Sequence, residues 1–378
     1  MSVYSQTIVV CVALMIAAVG FYLQTIVRLY EIAGFGRQIK QINTNNCNVE
    51  FPRKLQGCED ILVFNVDTNP SILLGCSHDI NQRRKWFPPI SHQNSTIPGV
   101  IRDHFYVYNI EERSVVKLKM KGFPKTSDLV LHGFDLVANG NEHLLYAVNH
   151  KRQGNGSVIE KFSLQENVLT YLTTFDGNDN RLVNTPNAIT VVDHRTDSFY
   201  VTNDHYYNHE PAHDVESLLL RPWSHVAFHS KSDGFKIVED GLTYANGIAK
   251  YENKLFVVQS SLGELSVYDV HQDNNLTFVK KISFDYILDN IRLTGGDAYI
   301  AGHLSLNAMG KYFKNPNVKS PSAVAKLSIQ EIINGNPVPE YVFSDNTGLM
   351  NSSTVAVSHS NILFISGLMS RGMLRCEL

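Results

Sequence analysis

Five side chains carry the oxygen donors on which a chemical reading of this sequence turns: Glu59, Asn187, Asn246, Asp289 and Asn290. Each stands at the start of a short apolar or β-branched run. Glu59-Asp60 precedes Ile61-Leu-Val-Phe64, Asn187 precedes Ile189-Thr-Val-Val192, and the others lie in Tyr244-Ala-Asn-Gly-Ile248 and Leu288-Asp-Asn-Ile291. Calcium takes six to eight oxygen ligands, mixing carboxylates with amides, carbonyls and water. Glu59 and Asp289 would balance its charge while the three amides fill coordination, whereas the small octahedron of magnesium suits so dispersed a set less well. Taken singly, each Asn is a turn residue bonding its own backbone; only convergence makes a metal site. His132, followed by Gly133, and His150, closing the run Leu144–Asn149, are candidates for a base pair beside it. An imidazole titrates near neutrality and could deprotonate a water attacking a metal-polarised ester carbonyl.

Two other spellings are rejected. His209-Glu-Pro-Ala-His213 matches the zinc pattern H-E-x-x-H, which needs both imidazoles on one helical face. Pro211 cannot donate the backbone bond there; if it opens the helix, His209 falls outside. There is no G-x-S-x-G elbow, so a serine hydrolase of the α/β type has no support.

Donors so scattered need a scaffold that brings many loops to one axis. Short strands separated by Gly, Asn and Asp turns recur along the chain: Ser198–Thr202, Leu255–Gln259 with Leu265–Asp269, Ala298–Ala301, Thr354–Val357 and Ile362–Ser366. The spacing of about 45 to 60 residues is blade-like, and the length of the body then predicts about six blades. No alternation with long amphipathic helices appears, which disfavours a parallel α/β sheet. The expected fold is all-β, a six-bladed propeller, with one N-terminal transmembrane helix.

The chain has 378 residues and a net charge of −3, with no basic footprint for nucleic acid. The first 27 residues carry no charged side chain, and Thr7–Val27 is long and apolar enough to cross a bilayer. Without a basic start or a good cleavage site, the segment reads as an uncleaved signal anchor. The expected organisation is a short cytosolic tail over 1–6, the anchor over 7–27, a helical connector over 28–46 and the propeller over 47–378. Arg28, Arg37 and Lys40 after the span favour a cytosolic body, but four sequons, at Asn94, Asn155, Asn275 and Asn351, all lie downstream, and large domains translocate largely regardless of flanking charge. The expectation is a single-pass membrane protein whose body is lumenal or extracellular, in the endoplasmic reticulum or at the cell surface. Such a compartment permits disulfides. Joining Cys47 to Cys376 would tie the start of the body to its last strand, leaving Cys58 and Cys76 as buried thiols or a second pair.

With these positions in hand, the chain resembles the paraoxonases, calcium-dependent arylesterases and lactonases built as six-bladed propellers. The likeness runs through Asn46-Cys-Asn48, Glu59-Asp60, His132-Gly133, Val148-Asn-His150, Thr202-Asn-Asp-His-Tyr206, Ala245-Asn-Gly-Ile248, Leu288-Asp-Asn-Ile291, Ser353-Thr-Val-Ala356 and Cys376-Glu-Leu378. It implies that Glu59, Asn187, Asn246, Asp289 and Asn290 hold the catalytic calcium, that His132 and His150 form a dyad, and that Cys47 and Cys376 are bridged. The family places an acid directly after the calcium-binding Asn, as a ligand of a second, structural calcium; here that residue is Ala188. Asp60 and the carbonyl of Phe134 remain, so the second calcium is expected to be weak, absent or replaced. Asn208–Trp223 is more polar than the membrane-docking helix of lipoprotein-associated members, and the segment after His303 also departs from the family. The family includes tethered nematode members that serve degenerin sodium channels as accessory or chaperone subunits. Two functions follow: a tethered hydrolase acting on a small hydrophobic ester or lactone, and a non-catalytic partner of ion-channel subunits.

Overall fold

The computed structural model describes residues 3–66, 69–154, 156–177 and 182–378. Asn155, one of the four sequon positions, lies outside them.

Within these residues the strands form six blades: five sheets of four strands, and one, the second blade, of five because Lys119–Lys121 adds at its edge. The innermost strands are Cys58–Val66, Leu131–Asn139, Pro186–Asp193, Ala245–Tyr251, Ile287–Thr294 and Val355–His359. Each lies antiparallel to the strand that follows it, and from there the first five blades meander outward from the axis, while the sixth takes its outermost strand from the start of the body. The turns that close these hairpins carry the Gly, Asn and Asp residues noted above, and the strands themselves are β-branched and aromatic.

Most apolar packing lies between neighbouring blades. Phe256, Leu265 and Ile282 of the fourth blade pack with Ile291, Ile300 and Ala325 of the fifth, and Leu73 and Phe105 of the first pack with Phe134 and Leu145 of the second. That division leaves the axis for polar groups. The ring closes in the sixth blade, where Cys47–Glu50, from the start of the body, pairs with the C-terminal strand Met373–Glu377. Cys47 and Cys376 face each other in that ladder and are disulfide-bonded, as expected. Cys58 and Cys76, left open by the sequence, face each other across the first hairpin and form a second disulfide.

The N-terminal helix runs Val3–Ile32, further than the anchor boundary at 27. Ile8, Val12, Leu14, Met15, Ile16, Val19, Leu23 and Val27 on it are exposed. Thr7, Ala18, Phe21, Tyr22, Gln24 and Thr25 of the expected span have side chains outside the described ones, and over what is described no helix is long and apolar enough to cross a membrane. The expected helical connector is corrected: 37–46 contains no helix. The cause is Gly34, at φ 72°, where a Cβ would lie 1.9 Å from the Leu304 carbonyl oxygen. There the chain leaves the helix and docks on the fifth blade. Ile32 and Ala33 are buried, Leu306 N–H donates to the Ala33 carbonyl, and the Arg28 guanidinium donates to the Phe284 carbonyl at 2.7 Å.

Candidate functional site

Five of the six inner strands are irregular at the same end, and each irregularity falls on a candidate residue. Against its partner strand, the ladder slips at Glu59, at His132-Gly133, at Asn187-Ala188, at Asn246-Gly247 and at Asp289-Asn290. A bulge leaves its extra residue unpaired and re-aims the side chain. Here five bulges turn polar side chains toward the axis, which is the geometric content of the pattern "donor, then apolar run" in the sequence. Neighbouring bulges approach closely: a Cβ on Gly133 would lie 2.6 Å from the Asn187 carbonyl oxygen.

The five expected ligand residues are brought together, and all are buried. Glu59, Asn187, Asn246 and Asp289 line one chamber of about 50 Å³ with His132, Tyr244, His303 and Thr354. Asn290 reaches it through Nδ2, which donates to Glu59 Oε1 at 2.6 Å. Asn187 Nδ2 donates to Asp204 Oδ2 at 3.1 Å, and the Asn246 amide favours the charged form of the Asp289 carboxylate beside it. The opposite atoms are the informative ones. Glu59 Oε2, Asn187 Oδ1 and Asn246 Oδ1 are buried acceptors with no hydrogen-bond partner. Each buried acceptor left unmade costs about 1–3 kcal/mol, and three lining one chamber have the chemistry of a cation site. Burial, and then the charge of Asp60 and Asp289, pushes the Glu59 carboxyl well up; burial likewise raises Asp289. A divalent cation between them reverses both penalties. The donor set is all oxygen with two carboxylates, which fits calcium.

His132 and His150 also meet. His132 Nδ1 lies 2.9 Å from His150 Nε2, and His150 Nδ1 lies 2.8 Å from Ser157 Oγ. His132 Nε2 points the other way, to within 3.7 Å of Glu59 Oε1. Burial holds His132 well below the usual imidazole range and His150 at about 3. The pair bridges two spaces: His132 lines the small chamber, and His150 lines a cavity of about 350 Å³ with Trp86, Arg152 and Asp204. Pro89, in the segment Trp86–Gln93, lines both and accepts a bond from the Tyr244 hydroxyl.

Because His150 titrates below its unfolded value, the unfolded chain binds more protons than the folded one between about pH 3 and 6.5. Stability contributed by the neutral ring is therefore lost as pH falls below about 6.5. The expected result is a melting temperature whose decline from pH 7 to 5 is less steep in His150→Gln than in the unsubstituted chain, followed by circular dichroism.

Several residues of the site had no signal of their own in the sequence. His303 Nε2 contacts Asp289 Oδ2 at 3.0 Å and its Nδ1 contacts Ser352 Oγ at 3.0 Å. It ends the second strand of its blade, much as His150 directly follows the second strand of the second blade, and that equivalence could have found it. Arg292 donates through Nε to Asp60 Oδ1 at 3.0 Å, through a terminal nitrogen to Asp60 Oδ2, and through that nitrogen to the Phe134 carbonyl at 2.6 Å. Asp60 and Phe134, the expected ligands of a second calcium, are thus occupied by a side chain.

The rejected zinc spelling stays rejected. The helix Ala212–Leu218 begins after Pro211, and His209 lies before it, bonded to Gln93. His213 instead meets Asp204 and His205 in a buried cluster. His205 and His213 are near-parallel, with centroids 3.7 Å apart and planes at 31°. Lone pairs lie in the ring planes, so rings stacked in this way do not aim at a common ion. Val215 and Leu218 on this helix, and Leu219 and Trp223 after it, are exposed. Among the sequons, Asn94 and Asn275 are exposed, whereas Asn351 is half-buried with Oδ1 accepting from Ser320 N–H and Nδ2 donating to Gly348 O.

The family model described as Arylesterase matches residues 58–378. Serum paraoxonase/arylesterase 2 of Homo sapiens is 30% identical over 271 residues, 68% of this chain and 73% of that protein. Serum paraoxonase/arylesterase 1 of Homo sapiens is 28% identical over 351 residues, 90% of this chain and 91% of that protein. Among solved structures, a putative gluconolactonase superposes with a TM-score of 0.52 at 10% identity, covering 89% of this chain and 94% of its own, a likeness of fold.

Proposed function

The chain belongs to the arylesterase family, and from that membership we propose that it is a calcium-dependent hydrolase of lactones or aryl esters, tethered to a membrane by its N-terminal helix. The observation that carries the reading is the set of unpartnered buried oxygens on Glu59, Asn187 and Asn246, beside the carboxylate of Asp289. Glu59, Asn187, Asn246, Asp289 and Asn290 would hold the calcium. When bound, it supplies Lewis acidity toward an ester or lactone carbonyl. His132, kept neutral by burial and turned with Nε2 toward Glu59, would take a proton at Nε2 from an attacking water while its Nδ1 proton passes to His150 Nε2, on the side of the larger cavity. His303 and the Asn246 amide hold the Asp289 carboxylate in place. Around Asp60, Ala188 and Arg292 the described residues offer no comparable set of free oxygens, so a second calcium is not part of this proposal.

The tether rests on the exposed apolar side chains of Val3–Ile32, which in water would be a large unpaired patch. The two disulfides and the exposed sequons at Asn94 and Asn275 support a lumenal or extracellular body.

The test is hydrolysis of an aliphatic lactone and of phenyl acetate by the full chain in detergent, with calcium and with a chelator. Turnover that the chelator abolishes is the expected result. A chain that binds calcium and gains stability from it but hydrolyses neither ester sinks the hydrolase reading in favour of a non-catalytic partner of a membrane protein, such as an ion-channel subunit. Release of the chain from membranes by alkaline carbonate would sink the tether alone.

A further inference from the structure

The axis of the propeller carries two polar layers that differ in one physical respect. In the upper layer the carboxylate and amide oxygens Glu59 Oε2, Asn187 Oδ1 and Asn246 Oδ1, and the hydroxyl of Ser260, lack partners. In the lower layer every oxygen of Asp60 is taken. Oδ1 accepts from Ile61 N–H at 2.9 Å and from Arg292 Nε; Oδ2 accepts from Phe134 N–H at 3.1 Å and from a terminal nitrogen of Arg292. The same guanidinium donates to the Phe134 carbonyl. Asp135, on the far side of the channel, is also satisfied, its two oxygens accepting from Leu136 and Val191 N–H. The resemblance to paraoxonases implies a second calcium in this layer, held by Asp60, the Phe134 carbonyl and an acid at position 188. The residues present do not fit it: Ala188 brings no oxygen, and Arg292 brings a positive charge to the remaining ligands.

We propose that the guanidinium of Arg292 is the resident cation of the lower layer, so that this chain binds one divalent ion rather than two and holds that part of its axis together without metal. The planar fork of arginine suits a carboxylate and a carbonyl side by side. Its charge cannot be removed by deprotonation near neutral pH. Unlike an ion, it cannot be drawn off by a chelator, and its occupancy does not follow the free calcium concentration as bound metal does. The position also explains why Ala188 is tolerated: with a monovalent cation covalently supplied, a second acid would add an unbalanced buried charge.

The inference rests on the upper-layer reading only for the count of ions. Calcium bound to the full chain in detergent is measured by equilibrium dialysis with atomic emission, and thermal melting is followed with and without chelator. One ion per chain is expected, and none in Asp289→Asn. Two ions in the unsubstituted chain, or one retained in Asp289→Asn, would overturn the proposal. No ion in the unsubstituted chain would instead overturn the metal reading of the upper layer. Arg292→Ser is expected to melt at a lower temperature both with and without chelator, because Asp60 is then buried unpaired. Should that variant fail to fold, the double substitution Ala188→Asp with Arg292→Ser supplies the missing acid. It is expected to bind two ions and to depend on calcium for its fold; a double variant that binds only one and melts alike in calcium and chelator counts against the proposal.

Discussion

Asp289→Asn is expected to abolish calcium binding and to lower kcat/KM for lactone and ester hydrolysis by about 10²- to 10³-fold, the scale on which loss of a stabilising electrostatic group in a preorganised site is felt. The substitution changes one oxygen to nitrogen and leaves the shape of the chamber intact, so the effect isolates charge. Asp289 is one of two carboxylates among the five converging residues, and its partners, His303 Nε2 and the Asn246 amide, hold it in place whether or not an ion is present. Without metal its carboxylate is a buried charge whose pKa burial raises, a sign that the ion-free fold carries it at a cost. In chelator, then, Asp289→Asn should melt at or above the temperature of the unsubstituted chain. In calcium the order should reverse, since an ion at 100 times its Kd stabilises by about 2.7 kcal/mol. Calorimetry in both buffers reads the crossing. A variant that stays calcium-dependent, or that melts lower in both buffers, would dissociate Asp289 from the ion.

Replacing Cys47 and Cys376 together with Ala should be the most costly change outside the site. The bridge closes 329 residues of chain, and the chain-entropy relation assigns a loop of that size about 6 kcal/mol, most of the stability of an ordinary domain. What remains to close the ring is the ladder Cys47–Glu50 against Met373–Glu377, a short strand pair. The expected outcome in the double variant is a large drop in melting temperature and in denaturant midpoint, with loss of calcium binding, because the ligands come from blades one, three, four and five and meet only in a closed ring. Retention of the melting temperature within a few degrees would place closure in the ladder and the inter-blade packing instead. Cys58→Ala with Cys76→Ala spans 18 positions and should cost less globally, while loosening the strand that carries Glu59.

The fold and the convergence of the five candidate residues were legible because propeller strands announce themselves locally. A β-branched run after a lone oxygen-bearing residue is a short-range pattern, and the ligands sit at the same place in each repeat. What the sequence could not show is which residues fill the space behind them. Arg292 lies two positions past Asn290 in an inner strand, and nothing in Asn-Ile-Arg-Leu says that its guanidinium crosses the axis to Asp60, contributed 232 residues earlier. His303 and Ser352 were hidden for the same reason: the contact of His303 with Asp289, and of Ser352 with His303, is set by strand pairing and loop course. The helical continuation to 46 was mistaken because apolar spacing in Gln38–Ile42 outweighed two glycines that in the fold take left-handed backbone. Asn351 spelled a glycan acceptor, and only tertiary contact shows its amide already engaged.

The strand Cys47–Glu50 is synthesised long before its partner Met373–Glu377. In the interval five blades can assemble while the sixth has two unmated edges, each able to accept a strand from another molecule. A chain lacking Met373–Glu377 would therefore form a nearly complete but open ring, held in a state made for domain exchange or quality-control capture.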